Sequence, residues 1–313
     1  MPAIAAPAKV LVTGANGYIA MWVVRRLLEA GYAVRGTVQS ATKGEYLKKL
    51  FGSYGDKLEL KVVEDITKEG AFDEAVKGVD AIEHTASPFH FKASEPDELI
   101  SPAVKGTVGI LNSALKFGTN VKRVVVTSSC AAVLEILNHP KVFNESDWDE
   151  QCIRNVQEKG KDSNPGDWYR ASKTLAEKAA WDFVAKNKSS IGWDLVVLNP
   201  PYVFGPIIHE ISSIDQLNTS MADIYGTLYK NTKDTETLTS AGNAWVDMRD
   251  LARAHVLAIQ WEQAGGNRLI VYSVVHMFRY DVSRARDLQG MDKYITIEEC
   301  IKDSLEDFKK RGW

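Results

Sequence analysis

The feature that most constrains this chain lies near its start. Lys9 to Thr13 (KVLVT) runs directly into Gly14-Ala-Asn-Gly17-Tyr-Ile-Ala20, and apolar residues then recur at helical spacing from Ile19 to Ala30 before Gly31. A buried strand, a glycine turn and an amphipathic helix form the opening unit of a doubly wound α/β sheet. In that unit the first glycine makes a tight turn. The second lets backbone N–H groups approach a diphosphate at the positive end of the helix, and a small residue three positions on lets helix and strand pack closely. Gly14, Gly17 and Ala20 fill these places with GxxGxxA spacing. Glycine serves many strand-to-helix turns, so the position after the first strand, not the pattern alone, makes this a dinucleotide loop.

The rest of the first two thirds keeps the same rhythm. Strands are expected at Ala33 to Val38, Leu58 to Val63, Ala81 to His84, Val121 to Thr127 and Asp194 to Leu198, with helices at Glu98 to Phe117 and Asp167 to Lys186 between them. Right-handed crossovers would build an open parallel sheet of Rossmann type. After Pro200 the rhythm breaks into a proline-bearing irregular stretch, short mixed segments and a final helix at Ile297 to Lys310. The expected division is a dinucleotide-binding domain over 1–200, to which 245–275 returns, with Asp247 to Gln260 as a helix. A smaller substrate-binding lobe would comprise 201–244 and 276–313.

Bulk properties exclude other classes. A net charge of −3 with scattered basic residues offers no face for nucleic acid. Three widely spaced cysteines, Cys130, Cys152 and Cys300, suit reduced thiols in the cytoplasm. The six histidines have no metal-ligand spacing, so no metal is expected. The most apolar stretch, Val121 to Leu137, is too short and polar to cross a bilayer. The acidic group Glu145, Asp147, Asp149 and Glu150 around Trp148 reads as a solvated loop. His84, at a strand end, reads as a packed histidine. No Walker lysine follows the glycines and no GxSxG elbow is present.

The second strand ends Gly36-Thr37-Val38-Gln39-Ser40 without the acid that favours NAD, and Arg35 and Lys43 flank it. NADP is therefore favoured, while neutral Gln39 leaves NAD open. Tyr169-Arg-Ala-Ser-Lys173 opens a long helix, which places phenol and ammonium on one face. A nearby ammonium lowers a phenol's pKa and eases proton transfer. Tyr229 and Lys233 share the spacing but lack the context. Thr127-Ser128-Ser129 ends a strand where open α/β sheets bind ligands, and either serine is placed to face the site.

With these motifs in order, the chain resembles the extended short-chain dehydrogenase/reductases, in the branch of dihydroflavonol reductases and fungal methylglyoxal, aldehyde and carbonyl reductases. The resemblance rests on VTGANGYIA (Val12 to Ala20), VVEDIT (Val62 to Thr67), HTASP (His84 to Pro88), VVVTSS (Val124 to Ser129), YRASKTLAE (Tyr169 to Glu177), NPPYVFGP (Asn199 to Pro206) and WVDMRD (Trp245 to Asp250). It implies NAD(P)H-dependent reduction of aldehydes and ketones to alcohols by hydride transfer, with Ser129, Tyr169 and Lys173 catalytic. Asp65 and Ile66 would border the adenine, Thr85, Ala86 and Ser87 the ribose, and Pro200 and Val203 the nicotinamide. Phe89, Cys130 and Tyr202 would shape the substrate pocket, with Trp168 at its edge. Thr13, Asn16, Tyr18, Ile19, Gln39, Ser40 and Thr127 complete the expected cofactor set. Gln39 stands where relatives commonly place an arginine, and the stretch between Val275 and Ser283 is shorter than in relatives. A small-molecule carbonyl substrate and a monomer or homodimer are expected. Two competing functions share the fold. A nucleotide-sugar epimerase or dehydratase would need basic residues such as Lys230, Lys233, Arg268 and Arg279 for a diphosphate. A non-catalytic dinucleotide sensor would show a broken tyrosine–lysine pair.

Overall fold

The computed structural model describes residues 4–87, 93–234, 244–272 and 279–313. Seven short segments rich in β-branched residues form one parallel sheet. They are β1 (Lys9–Thr13), β2 (Ala33–Val38), β3 (Leu58–Val62), β4 (Ala81–His84), β5 (Arg123–Thr127), β7 (Asp194–Asn199) and β10 (Arg268–Ile270). Their spatial order is β10-β7-β5-β4-β1-β2-β3. β1 pairs with both β2 and β4, so the winding reverses between β1 and β4. That reversal opens a crevice at the carboxyl ends of these two strands, where such sheets bind ligands.

Helices cover both faces, as central parallel strands require. α1 (Tyr18–Glu29) and α7 (Met248–Gln260) lie on one side, and α3 (Asp97–Phe117) and α5 (Pro165–Lys186) on the other. Val10, Val12, Val125, Val196 and Leu198 bury into the α1–α7 layer, and Leu11, Ile82, Val124, Val126 and Val197 into the α3–α5 layer. The 245–272 segment contributes α7 and the edge strand β10, which pairs with β7.

Other elements differ from the sequence reading. β5 starts at Arg123, not Val121, because the Val121 N–H closes a turn on Gly118. Two helices had no strong apolar period to announce them. α2 (Ala41–Leu50) starts at the cap Ser40, and α4 (Glu150–Lys159) starts at Asp149, whose carboxylate accepts from the Cys152 N–H. The acidic segment 145–150 is not a solvated loop. Glu145 and Asp149 are buried, and Asp149 pairs with Arg170 of α5 at 2.7 Å.

Two small parallel pairings lie outside the main sheet: β6 (Val142–Phe143) with β11 (Arg279–Tyr280), and β8 (Tyr202–Phe204) with β9 (Trp245–Asp247). After β8, α6 (Thr219–Tyr229) packs on the last helix, α9 (Ile297–Lys310), through Tyr225 edge-on to Phe308 at 5.4 Å. α8 (Ser283–Gln289) precedes it. No helix among the described residues is long and apolar enough to cross a membrane.

Candidate active site

The crevice between β1 and β4 is closed at its base by Thr13. Its fully buried hydroxyl accepts from the Thr85 and Ala86 N–H groups (3.1 and 3.0 Å) and meets His84 Nδ1 at 2.9 Å. With both lone pairs taken, the hydroxyl proton goes to Nδ1, which leaves the imidazole protonated at Nε2. Burial depresses the His84 pKa to about 3, so the ring is neutral. His84 is packed, as its sequence position suggested. Thr13 joins two strand ends instead of presenting its hydroxyl to a ligand.

Above that base sits the glycine turn. Gly14 has a φ of +64°, and a Cβ there would lie 3.2 Å from Ala86 Cα, so both conformation and space demand glycine. The turn is held by Gly14 N–H to Thr37 Oγ1 (3.0 Å) and Gly17 N–H to Gly14 O (2.9 Å). Gly17 caps α1 without a side-chain partner for the first-turn N–H groups. A backbone cradle with no Cβ and an uncapped helix start fits a diphosphate. Asn16 lines a cleft of about 460 Å³ beside this turn, together with Lys43, Tyr46 and His209. Ile19 packs on the core below, and the Tyr18 hydroxyl donates to Gly205 O at 3.1 Å.

The expected ribose-phosphate cations divide. Arg35 is 8% exposed, pairs with Glu59 and donates to Ala75 O and Lys77 O (2.8 and 2.5 Å). It ties β2 to its neighbours and is removed from the cofactor set, because a buried arginine with this many acceptors is a structural anchor. Lys43 stays exposed on the first turn of α2, its ammonium meeting the Gln39 side-chain oxygen. At the expected adenine position, Asp65 Oδ1 accepts from the N–H and hydroxyl of Thr67 (2.9 and 2.7 Å), which holds its pKa below the usual carboxylate value. Ile66 packs against Gly106 of α3.

The serine, tyrosine and lysine expected to be catalytic converge at the carboxyl ends of β5 and β7. Asn164 caps α5 by accepting from the Gly166 N–H at 2.8 Å, and Pro165 occupies the first turn. Tyr169 and Lys173 follow on one face. Ser129 stands beside the Tyr169 phenol and lowers its pKa, while its own hydroxyl accepts from the Ala131 N–H (3.1 Å) and meets Pro200 O (3.4 Å). Ser128 is turned away, donating to Glu177 Oε2 at 2.6 Å, which settles which serine faces the tyrosine. Lys173 Nζ donates to Ser87 Oγ at 3.1 Å and stands 5.9 Å from the centre of the Tyr169 ring.

The electrostatics differ from the expected lowering of the phenol's pKa by the ammonium. Burial raises the Tyr169 pKa, and only Ser129 pulls it back. Burial also pushes Lys173 down to about 8, opposed by the Glu177 carboxylate. Tyr169 is therefore a fully protonated phenol near neutral pH, the form a proton donor needs.

The remaining expected residues are placed as follows. Pro200 O accepts from the Cys130 N–H at 2.9 Å, and Val203 is buried in β8. Cys130 is buried, with its thiol on Asn199 O at 3.2 Å. Tyr202 is 39% exposed. Trp168 is buried and donates to Ser163 Oγ at 2.8 Å, so its indole nitrogen serves the turn before α5. Thr127 Oγ1 lies 3.4 Å from His255 Nε2. Phe89 and the first part of the shortened stretch, up to residue 278, fall outside the described residues. Sequence reasoning gave no role to Glu177 and Asn199, which lie directly beneath the site, and read Arg268 only as a basic residue for a diphosphate, whereas it is buried against Glu177. Glu177 follows Lys173 by four residues, the same spacing that joined Lys173 to Tyr169.

A Rossmann sheet, a glycine turn and a serine–tyrosine–lysine group define a dinucleotide-dependent enzyme of the short-chain dehydrogenase/reductase type. Residues 10–272 match the model of the NAD dependent epimerase/dehydratase family, and the chain belongs to that family, in its extended short-chain dehydrogenase/reductase branch. It is 40% identical over 270 residues to the ketoreductase azaE of Aspergillus niger, covering 83% of this chain and 76% of that protein. It is 38% identical over 271 residues to an NADPH-dependent methylglyoxal reductase of Saccharomyces cerevisiae, covering 84% and 77%. Among solved structures, the yeast methylglyoxal/isovaleraldehyde reductase Gre2 complexed with NADPH superposes with a TM-score of 0.86 at 32% identity, over 97% of this chain and 99% of that one.

Proposed function

We propose that this protein is an NADPH-dependent carbonyl reductase acting on small dicarbonyls such as methylglyoxal and on apolar aldehydes and ketones. The observation that carries the reading is Lys173 one helical turn from Tyr169, its ammonium on Ser87 Oγ (3.1 Å) and 5.9 Å from the Tyr169 ring, with Ser129 beside the phenol. Tyr169 and Ser129 hold the carbonyl oxygen, and Tyr169 gives up its proton as negative charge develops there. Lys173 then stabilises the phenolate left behind and, with Ser87, holds ribose hydroxyls. NADPH supplies the hydride when bound along the carboxyl ends of the strands. The backbone of 14–19 with Asn16 receives its diphosphate, Asp65 and Ile66 border the adenine, Thr85 to Ser87 and Thr127 the ribose, and Pro200 and Val203 the carboxamide. Ser40, Gln39 and Lys43 meet the 2′-phosphate, with Lys43 the cation that remains once Arg35 is committed to Glu59. Phe89, Cys130, Tyr202 and Trp168 shape the substrate side, to which 201–244 and 276–313 contribute.

The sugar-nucleotide reading is disfavoured because two of its basic residues are engaged elsewhere. Lys233 pairs with Asp223 at 2.6 Å, and Arg268 is buried against Glu177. The test follows cofactor oxidation with NADPH and NADH in parallel, using methylglyoxal and a panel of aliphatic and aryl ketones. Faster turnover with NADPH is expected. Faster turnover with NADH would overturn the cofactor assignment, and no oxidation of either would overturn carbonyl reduction.

A further inference from the structure

Beneath the catalytic helix lies a buried cluster with no place in the hydride or proton steps. Glu177, 1% exposed, uses both carboxylate oxygens. Oε2 accepts from the Ser128 hydroxyl (2.6 Å) and from the Asn199 side-chain amide (2.8 Å), while Oε1 pairs with Arg268 Nε at 2.5 Å. The same Asn199 amide donates to Ser129 O at 3.1 Å. Arg268 in turn donates to the carbonyls of Glu145 and Asp147, both at 2.7 Å, and stacks over Trp148 at 3.6 Å. One carboxylate therefore gathers four segments: helix α5 with Tyr169 and Lys173, the turn after β5 with Ser129, the turn after β7 with Pro200, and the edge strand β10.

We propose that Glu177 is a positioning residue of the active site, fixing Ser129 against Tyr169 through Ser128 and Asn199 and supplying the fixed negative charge behind Lys173. The inference deepens the carbonyl-reductase reading and rests on it for its kinetic part. Geometry supports both roles. Ser128, Lys173 and Glu177 line one small void with Ser87, His84 and Thr107, which sets carboxylate and ammonium around one shared space. A charge in such a place is screened little. The other charged or titratable groups facing the pair are few. Arg268 comes from β10, neutral His84 from β4, and Cys130 and Glu145 from the segments after β5 and β6, while α3 presents uncharged Thr107. Burial keeps Cys130 protonated, and the Glu145 carboxylate is turned to the Ile270 N–H (3.2 Å) and towards Arg284 (4.0 Å), so neither replaces Glu177 as the neighbouring anion.

The test must separate positioning from simple neutralisation of Arg268. Glu177→Gln alone strands the Arg268 charge, which is costly to folding, whereas Glu177→Gln with Arg268→Met removes both charges and leaves a neutral interior. Two readouts are taken on that double variant and on wild type. One is kcat and KM for methylglyoxal with NADPH across pH 6 to 10. The other is the pH dependence of Lys173 acetylation, followed by mass spectrometry, which needs no turnover. The expected result is a fall in kcat of about tenfold or more, the scale of a lost charge-assisted hydrogen bond. NADPH affinity stays within about threefold, since no cofactor contact is lost. The midpoint of Lys173 labelling moves to lower pH. Wild-type kcat with an unmoved labelling midpoint would overturn the proposal and leave Glu177 as the counter-ion of Arg268. If wild type itself reduced no carbonyl, the proposed function would fall, and an unmoved midpoint would still count against Glu177.

Discussion

At the scale of single residues, the proposed chemistry turns on the difference between two buried groups. Tyr169 keeps its proton because burial disfavours phenolate, and Lys173 holds its proton only up to about pH 8 because burial disfavours ammonium. The signs predict the pH profile. Below pH 8 both groups are protonated and the phenol can donate to a forming alkoxide with a cation beside it. Above pH 8 the cation is lost while the phenol remains, so kcat/KM should fall on the basic side with an apparent pKa near 8. A limb first seen above the ordinary phenol value would place the control on Tyr169 instead. Tyr169→Phe deletes the donor but keeps the ring, so kcat should drop by about 10² to 10⁴, the usual contribution of a positioned general acid. NADPH binding, read by fluorescence titration, should change little. Turnover near wild type in that variant would remove Tyr169 from the chemistry.

At the scale of elements, β-branched strands and well-marked helices were legible in the sequence, because a parallel sheet buries both faces of its strands and writes them as apolar runs. β1, β2 and β4 lie where KVLVT, AVRGTV and AIEH place them. The glycine turn and the tyrosine–lysine pair were legible for the same local reason, since each is fixed by a short spacing. Contacts between distant segments were not. Arg35 and Arg123 sit in strands as charges that a one-dimensional reading sends to the surface, yet both are buried by partners brought in by the fold. Arg123 donates to Ala258 O (2.8 Å) and Trp261 O (2.5 Å) at the end of α7, to Glu262 O at 3.1 Å, and pairs with Asp194 of β7 at 2.7 Å. It serves as the C-terminal cap that α7 lacks in its own sequence. Arg123→Met should therefore destabilise by about 3–5 kcal/mol, the scale of a broken buried ion pair. Because the residue lies at the far end of β5 from Ser129, KM for both substrates should hold in the folded fraction. A melting temperature equal to wild type would show that the cap is dispensable.

At the scale of the whole molecule, among the described residues the stretch after β8 is held beside the cleft from two sides. The first is the glycine turn and its helix, where Tyr18 donates to Gly205 O (3.1 Å) and the Trp22 indole to Pro206 O (2.9 Å). The second is the final helix. Asp303 of α9 accepts from Arg249 at the start of α7 (2.5 Å), Asp307 accepts from the Ile207 N–H (3.1 Å), and Arg311 donates to Ile207 O (2.5 Å). Ile207 is thus held from both sides by the last turn of α9, two residues before His209, which lines the cleft with Lys43 and Asn16. The end of the chain in this way sets the wall of a cleft built by its beginning. Asp307→Ala removes the acceptor for Ile207 and the partner of Arg311 (3.1 Å), leaving the 205–211 wall held mainly through Tyr18 and Trp22. Both ions are partly exposed, so the fold should lose only about 1 kcal/mol or less. The effect should be on cofactor capture, with KM for NADPH rising about threefold to tenfold, as one hydrogen bond to a charged group allows, while kcat stays near wild type because Ser129, Tyr169 and Lys173 are untouched. An unchanged KM for NADPH would show that the wall stands without its C-terminal support. A fall in kcat instead would mean that the final helix acts on the reacting groups themselves.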